Sequence, residues 1–380
     1  MTRARTVVLC ALLSGCTGSL IGEPQDAGAG GGSDSGVWIM LDDGGGPPPG
    51  TDAGTPPPGT DAGPPVGTDA GPPGPCDGVT CGANAECDPM TGACACDDGF
   101  IPDGSSGCVM LPPGDPAGRT QAEVCAQWND GHVENSSMAW TAGAGTCDAG
   151  TMDPVAIDDT LRRIAMFRWL AGLPPVDHDA SRHGELMECA NMMNVNGSLS
   201  HNPPMSWTCW TSGGAAAAGR SNIALGYRTP GSAIDGYMSD RNTPSLGHRR
   251  WILGARLGSV EIGFAGRGQC LGVFGGGGST DRPWTAYPNQ GFAPLALAQY
   301  TWSFHGNTVS LPSSAYATVQ RMSDGMELPV DSYLTGGGGP PPTVGFTPMG
   351  WEPAAGETYR VTIHGTSDGD IVYETTLVDC

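Results

Sequence analysis

Asp240-Arg-Asn-Thr-Pro-Ser-Leu-Gly-His-Arg-Arg-Trp-Ile-Leu253 is the stretch on which the reading of this chain turns. It places a histidine, His248, just after a polar turn, with two arginines and an apolar run behind it. A second histidine stands upstream in Ser198-Leu-Ser-His201-Asn-Pro-Pro, and Ser221-Asn-Ile-Ala-Leu-Gly226 lies between the two. Helical patterns surround these pieces. Ile157 to Leu170 carries Asp158 and Asp159 at its positive end and an apolar stripe through Leu161, Ile164 and Ala165, and Gly172 with Pro174 and Pro175 ends it. A second helix is expected from about Ala180 to Asn194 and a third from about Ala233 to Asp240, the last leading into the histidine turn. Ser259–Phe264 and Leu271–Phe274 then read as strands.

The order of these pieces over about residues 155–275 resembles the CAP superfamily of cysteine-rich secretory proteins, antigen 5 and pathogenesis-related proteins, and most closely its bacterial branch. The resemblance implies an α/β/α sandwich around an antiparallel sheet, and so an α+β chain. It also implies a cleft lined by His201, Ser221, Asn222, Asp240, His248 and Arg249. His201 and His248 take the family's two histidine places, at which several members hold a divalent metal. The family's first cleft glutamate falls on Ser221, and its second acid falls on Asp240, three residues after Tyr237.

Those departures bear on the chemistry. Two imidazoles give half of a tetrahedral zinc shell, so a candidate Zn2+ would depend on water or Asp240 for the rest. A metal-bound water needs a carboxylate to take its proton during hydrolysis, and a serine hydroxyl does not do this at neutral pH. The sequence therefore favours non-enzymatic binding of a lipid, glycan or protein ligand, with no catalytic residue assigned. The alternatives are a metal-assisted hydrolase of peptide or cell-wall material, and a structural adhesin whose cleft is vestigial. Of Arg249 and Arg250, one is expected to pair with an acid such as Asp240 and the other to be solvated. Gly365-Thr-Ser-Asp-Gly369 matches a nucleophile motif as text, but it lies between two strand patterns and reads as a turn.

Composition sets the wider frame. Gly 62 and Pro 34 in 380 residues exceed what one compact globule uses. All 17 basic residues are arginine, against 39 acids. Without Arg3 and Arg5 of the expected leader the formal charge is 15 − 39 = −24, which repels phosphate backbones and argues against a nucleic-acid partner. Fourteen cysteines indicate an oxidising compartment.

Residues 1–15 read as a signal peptide, and Leu13-Ser-Gly-Cys16 resembles a lipobox. It implies acylation of Cys16, anchoring in a membrane, and an outer-membrane or cell-surface location. Residues 16–75 read as a tether, with Thr-Asp-Ala-Gly recurring at Thr51, Thr60 and Thr68 among prolines. Six cysteines within 76–110 resemble an EGF-like module. Sequence alone leaves the pairing open, and the resemblance implies Cys76–Cys87, Cys81–Cys94 and Cys96–Cys108. A CAP domain is expected over 119–285, with Cys125–Cys147 and Cys189–Cys209 as local bridges. Residues 290–380 carry strand patterns at Tyr300–Phe304, Ala317–Arg321, Thr358–Ile363 and Ile371–Val378, which suggest an immunoglobulin-like sandwich. Cys270 and Cys380 remain, and they are expected to pair with each other.

Overall fold

The computed structural model describes residues 74–82, 85–87, 92–96, 100–102, 108–110, 114–337 and 339–380. The expected leader, Cys16 and the tether lie outside the described residues. The cysteine-rich segment holds four short strands, β1 (Ala85–Cys87), β2 (Cys94–Cys96), β3 (Phe100–Pro102) and β4 (Cys108–Met110). β1 pairs antiparallel with β2, and β3 with β4. The interleaved bridges Cys76–Cys87 and Cys81–Cys94 close it, and the side chains of Cys96 and Cys108 lie outside the described residues. So few apolar side chains need covalent staples to hold a fold.

Helix α1 (Gln121–Gly131) starts at a capping box made by Thr120 and Glu123. Two short strands follow, β5 (Trp140–Thr141) and β6 (Thr151–Met152). Helix α2 (Pro154–Leu170) begins earlier than its apolar stripe, because Asp153 caps Val155 and Pro154 suits the first turn. Strand β7 (Asp177–His178), helix α3 (His183–Asn196) and helix α4 (Ser212–Ala218) come next. The alanine run of α4, capped by Thr211, gave no apolar stripe from which to expect it. Strand β8 (Ser221–Leu225) leads to α5 (Pro230–Ser239), which a capping box from Thr229 and Ser232 starts ahead of the expected Ala233. Helix α6 (Gly247–Ile252) carries His248 and both arginines. Strands β9 (Ser259–Ala265) and β10 (Gly268–Gly275) complete a four-stranded sheet in the order β7-β9-β10-β8. Only the β7–β9 pair in it is parallel.

The sheet is buried on both faces. Gly263 of β9 and Gly268 of β10 let α3 lie directly on the strands: an added Cβ would stand 2.3 Å from a backbone oxygen of Leu186 or Ala190 respectively. Strand alternation turns Val260, Ile262 and Phe264 to the other face, and these are buried as well. Cys189 on α3 is bonded to Cys270 on β10, so a fully buried disulfide fastens helix to sheet.

The remaining strands form two further sheets. β11 (Trp284–Tyr287), β13 (Trp302–Gly306), β16 (Val330–Thr335) and β17 (Thr343–Pro348) make one, in the order β11-β13-β17-β16. β12 (Gly291–Pro294), β14 (Tyr316–Arg321), β15 (Glu327–Leu328), β18 (Thr358–Thr366) and β19 (Gly369–Val378) make the other, in the order β12-β19-β18-β14-β15. Trp302, Phe304 and Phe346 of the first share one apolar cluster with Tyr359, Val361 and Tyr373 of the second. Gly365-Thr-Ser-Asp-Gly369 is the turn between β18 and β19.

Three expected bridges are replaced. The structure joins Cys125–Cys380, Cys147–Cys209 and Cys189–Cys270, in place of Cys125–Cys147, Cys189–Cys209 and Cys270–Cys380. Pairing by nearness in sequence misses what packing brings together. α1 packs on β12, and β12 runs parallel to β19, so Cys125 meets the residue just beyond that strand's end.

The arginine expectation is also corrected. Neither guanidinium pairs with Asp240 and neither is solvated. Arg249 is 0% exposed and donates to the carbonyls of Met238 (2.6 Å), Ser239 (2.9 Å) and Thr301 (2.8 Å) and to Ser303 Oγ (3.0 Å). Its plane lies over the Tyr287 ring at 3.9 Å. Arg250 donates to the carbonyls of Gly337, Pro340 and Pro341. Both cations thus tie α6 to the β-rich part. The same buried network continues to His305, whose ring nitrogens meet Ser303 Oγ at 3.0 Å and Thr343 Oγ1 at 2.9 Å.

Two predictions follow from this junction. Replacing Arg249 by Met strands several buried oxygens, and Lys cannot reproduce the planar fork. Both variants should lose at least about 3 kcal/mol in urea unfolding, and a Lys variant within about 1 kcal/mol of the wild type would refute the clamp. Burial, with Arg249 and Arg250 nearby, holds the His305 imidazole well below its usual range. The unfolded chain therefore binds this proton first, so stability should fall as pH drops below about 6.5. His305→Gln should shrink the loss of thermal stability between pH 7 and pH 5. An unchanged loss would show that other groups carry it.

Candidate functional site

The residues expected to share a cleft divide into two hydrogen-bonded groups joined through β8. Asp240 ends α5 in the left-handed region, at φ 45°, which aims its carboxylate at the start of α6. Its Oδ1 lies 2.7 Å from His248 Nδ1, and its Oδ2 accepts from the Arg249 amide at 3.1 Å. Because a carboxylate only accepts, Nδ1 carries the proton of the neutral ring. Tyr237 stacks on His248 at 5.2 Å and donates its hydroxyl to the Asn222 carbonyl at 3.0 Å. Asn222 Nδ2 donates to the His248 carbonyl at 3.1 Å. Asn222, Asp240, His248 and Arg249 are thus brought together, and Tyr237 locks them. Burial raises the Tyr237 phenol well above its usual range, so it stays protonated and keeps this donated bond.

His201 and Ser221 belong to the second group. His201 Nδ1 lies 2.9 Å from the Ala218 carbonyl, and Ser221 Oγ donates to the Ala217 carbonyl at 2.7 Å. Both therefore satisfy the carbonyl end of α4. That end is the negative pole of the helix and calls for donors, which gives a local reason for a serine rather than a carboxylate at this place.

Both histidines present Nδ1–H to an acceptor, the arrangement that orients a metal-binding imidazole. The rest of a shell is lacking. Among the described residues no three His, Cys, Asp or Glu side chains converge as a metal site, and Asp240 spends both oxygens inside the protein. The residues present do not fit a zinc centre with three protein ligands.

A large cavity lies elsewhere. It has a volume of about 890 Å3, and neither His201 nor His248 lines it. Its walls bring Trp128 of α1, the capping His132 and the chain from Tyr287 to Tyr300 against α2 and α5. Arg163, almost wholly buried, bonds Asp235, lies 3.4 Å from Glu134 and donates to the Gly131 carbonyl at 2.6 Å. His132 Nε2 stands 3.6 Å from Asp235 Oδ1. Burial raises the Glu134 carboxyl, opposed by its bond from Thr229 and by Arg163. Sequence reasoning missed these residues. Trp128 and His132 stand one helical turn apart, but nothing in the sequence marks the partners that α2 and α5 bring to them.

Residues 161–271 match the family model described as CAP: Cysteine-rich secretory protein family. That segment is a CAP domain. It includes both histidines, Ser221, Asp240 and the arginine pair. Trp128, His132, Glu134, Tyr287 and Tyr300 of the large cavity fall outside it. No curated protein and no solved structure matches the chain.

Because the two histidines lack a third ligand, zinc titrations of the wild type, His201→Ala and His248→Ala should give superimposable heats in calorimetry. Heat lost in both alanine variants would reveal a shared site.

Proposed function

We propose that this chain is an exported, lipid-anchored binding protein of the bacterial CAP type that holds its ligand without transforming it. The observation that carries the reading is the cavity of about 890 Å3, within the range of small-molecule sites and built partly from segments outside the CAP match. Five disulfides among the described residues and the CAP domain support an extracellular setting. Acylation at Cys16 would fix the chain to a membrane, and the tether would hold an EGF-like module, the CAP domain and an immunoglobulin-like sandwich away from it. A lipid, glycan or protein remains the ligand class by resemblance to the family. Against hydrolysis stand Asp240, with both oxygens committed, and Ser221, whose hydroxyl serves α4.

Replacing Cys16 by Ser should release the chain from the membrane fraction or leave its precursor uncut. A variant that still sediments with membranes and still labels with a fatty-acid probe would sink the anchoring. Incubation with peptides or peptidoglycan in the presence of zinc should yield no product above a His248→Ala control. Product that depends on His248 would overturn the non-enzymatic reading.

A further inference from the structure

Helix α5 forms one wall of the large cavity through Ser232, Asp235, Gly236 and Ser239. These positions are spaced i, i+3, i+4 and i+7, so a single helical face about 10 Å long looks inward. At its amino end Thr229 Oγ1 donates to Glu134 Oε1 at 3.1 Å, and Arg163 lies between Glu134 and Asp235. Just past its carboxyl end stands Arg241, with its guanidinium 5.3 Å from the Tyr300 ring. Arg267 donates to the Gly226 carbonyl at 3.1 Å from a neighbouring wall. Among the described residues, neither Arg241 nor Arg267 pairs with a carboxylate.

Charge makes the cavity unusual for this chain. The whole sequence carries −22. Glu134 and Asp235 are met by Arg163, and Arg241 and Arg267 also line the cavity. An anion is therefore drawn to this place and repelled from most of the remaining surface. The wall chemistry narrows the class further. Along α5 the lining carries two hydroxyls and a carboxylate; Ser232 and Ser239 spend their protons on the carbonyls of Thr229 and Gly236 and Asp235 bonds Arg163, and the acceptor positions that remain suit a hydroxylated ligand better than an alkyl chain. The aromatic residues Trp128, Tyr227, Tyr287 and Tyr300 line the same space. Flat apolar rings beside hydrogen-bonding side chains match a sugar, whose faces are apolar and whose edges are hydroxyls.

We infer that this cavity binds an acidic oligosaccharide, with Arg241 and Arg267 on its carboxylate or sulfate groups and the aromatic rings against its sugar faces. A guanidinium offers such groups two parallel hydrogen bonds. The inference rests on reading the cavity as the ligand site, and it names the ligand's chemistry.

The test uses the full-length protein and four probes: tetragalacturonate, a sulfated chondroitin tetrasaccharide, maltotetraose and oleate. At least one of the two acidic tetrasaccharides should bind in calorimetry, more weakly as salt rises, and maltotetraose should bind at least about tenfold more weakly. Arg241→Gln combined with Arg267→Gln removes two exposed guanidiniums and should weaken the acidic probe about tenfold or more. Tyr300→Ala should do so independently. Failure of both acidic probes, or binding indifferent to the double variant, overturns the inference. Ser232→Trp, which projects an indole into the cavity, separates the two levels. Oleate binding that this variant abolishes, with no saccharide binding, keeps the cavity as the ligand site and removes the saccharide. If no probe's binding responds to Ser232→Trp, both readings fall.

Discussion

The guanidinium of Arg249 is the contact on which the rest of the molecule depends. It sits wholly buried between the end of α5 and strand β13, and it answers backbone carbonyls on both sides. Desolvating a cation is costly unless its donors are met. The Arg249 guanidinium meets the condition with carbonyls and a hydroxyl rather than with a paired acid, and burial lowers its pKa against the opposing pull of Tyr287 and Asp240. Arg168 repeats the device. It is held to the carbonyls of Pro174, Ile252, Gly254 and Leu257, and burial lowers it to about 10. A chain with no lysine uses the five fixed donors of arginine wherever irregular backbone must be gathered.

That arrangement explains why the histidine turn could be found in the sequence while its purpose could not. The periods of α2, α3 and α5 were legible, as were β9, β10, β14, β18 and β19, because each buries a regular stripe or alternation. Boundaries moved where caps decided them, at Asp153 and Thr229. Strands β11, β12 and β17 went unread because they are short or broken by Gly and Pro, and β16 because its six residues are only partly buried and show no apolar alternation. An acid partner for one of Arg249 and Arg250 and solvent for the other were expected because the carbonyls they hold in the β-rich part lie 52 to 91 residues away.

The motif brought out the right residues to look at but not their local roles: His248 bonds Asp240, while His201 and Ser221 meet the end of α4, so each is bound into local structure before any ligand is considered. The cavity owes its form to packing between α1, α2, α5 and the segment before β13, a relation that no short motif records. Most of the cavity's lining lies inside the family match, and segments on both sides of the match complete the walls.

The bond between Cys125 and Cys380 has a mechanical consequence. It closes a covalent ring spanning 255 positions, with α2, α5, α6 and both β-rich sheets inside. A load applied upstream of Cys125 and drawn off at Cys380 would pass through two sulfur atoms and leave the ring unstretched. Such a load could straighten only the chain outside the ring, and the cavity would keep its shape under tension.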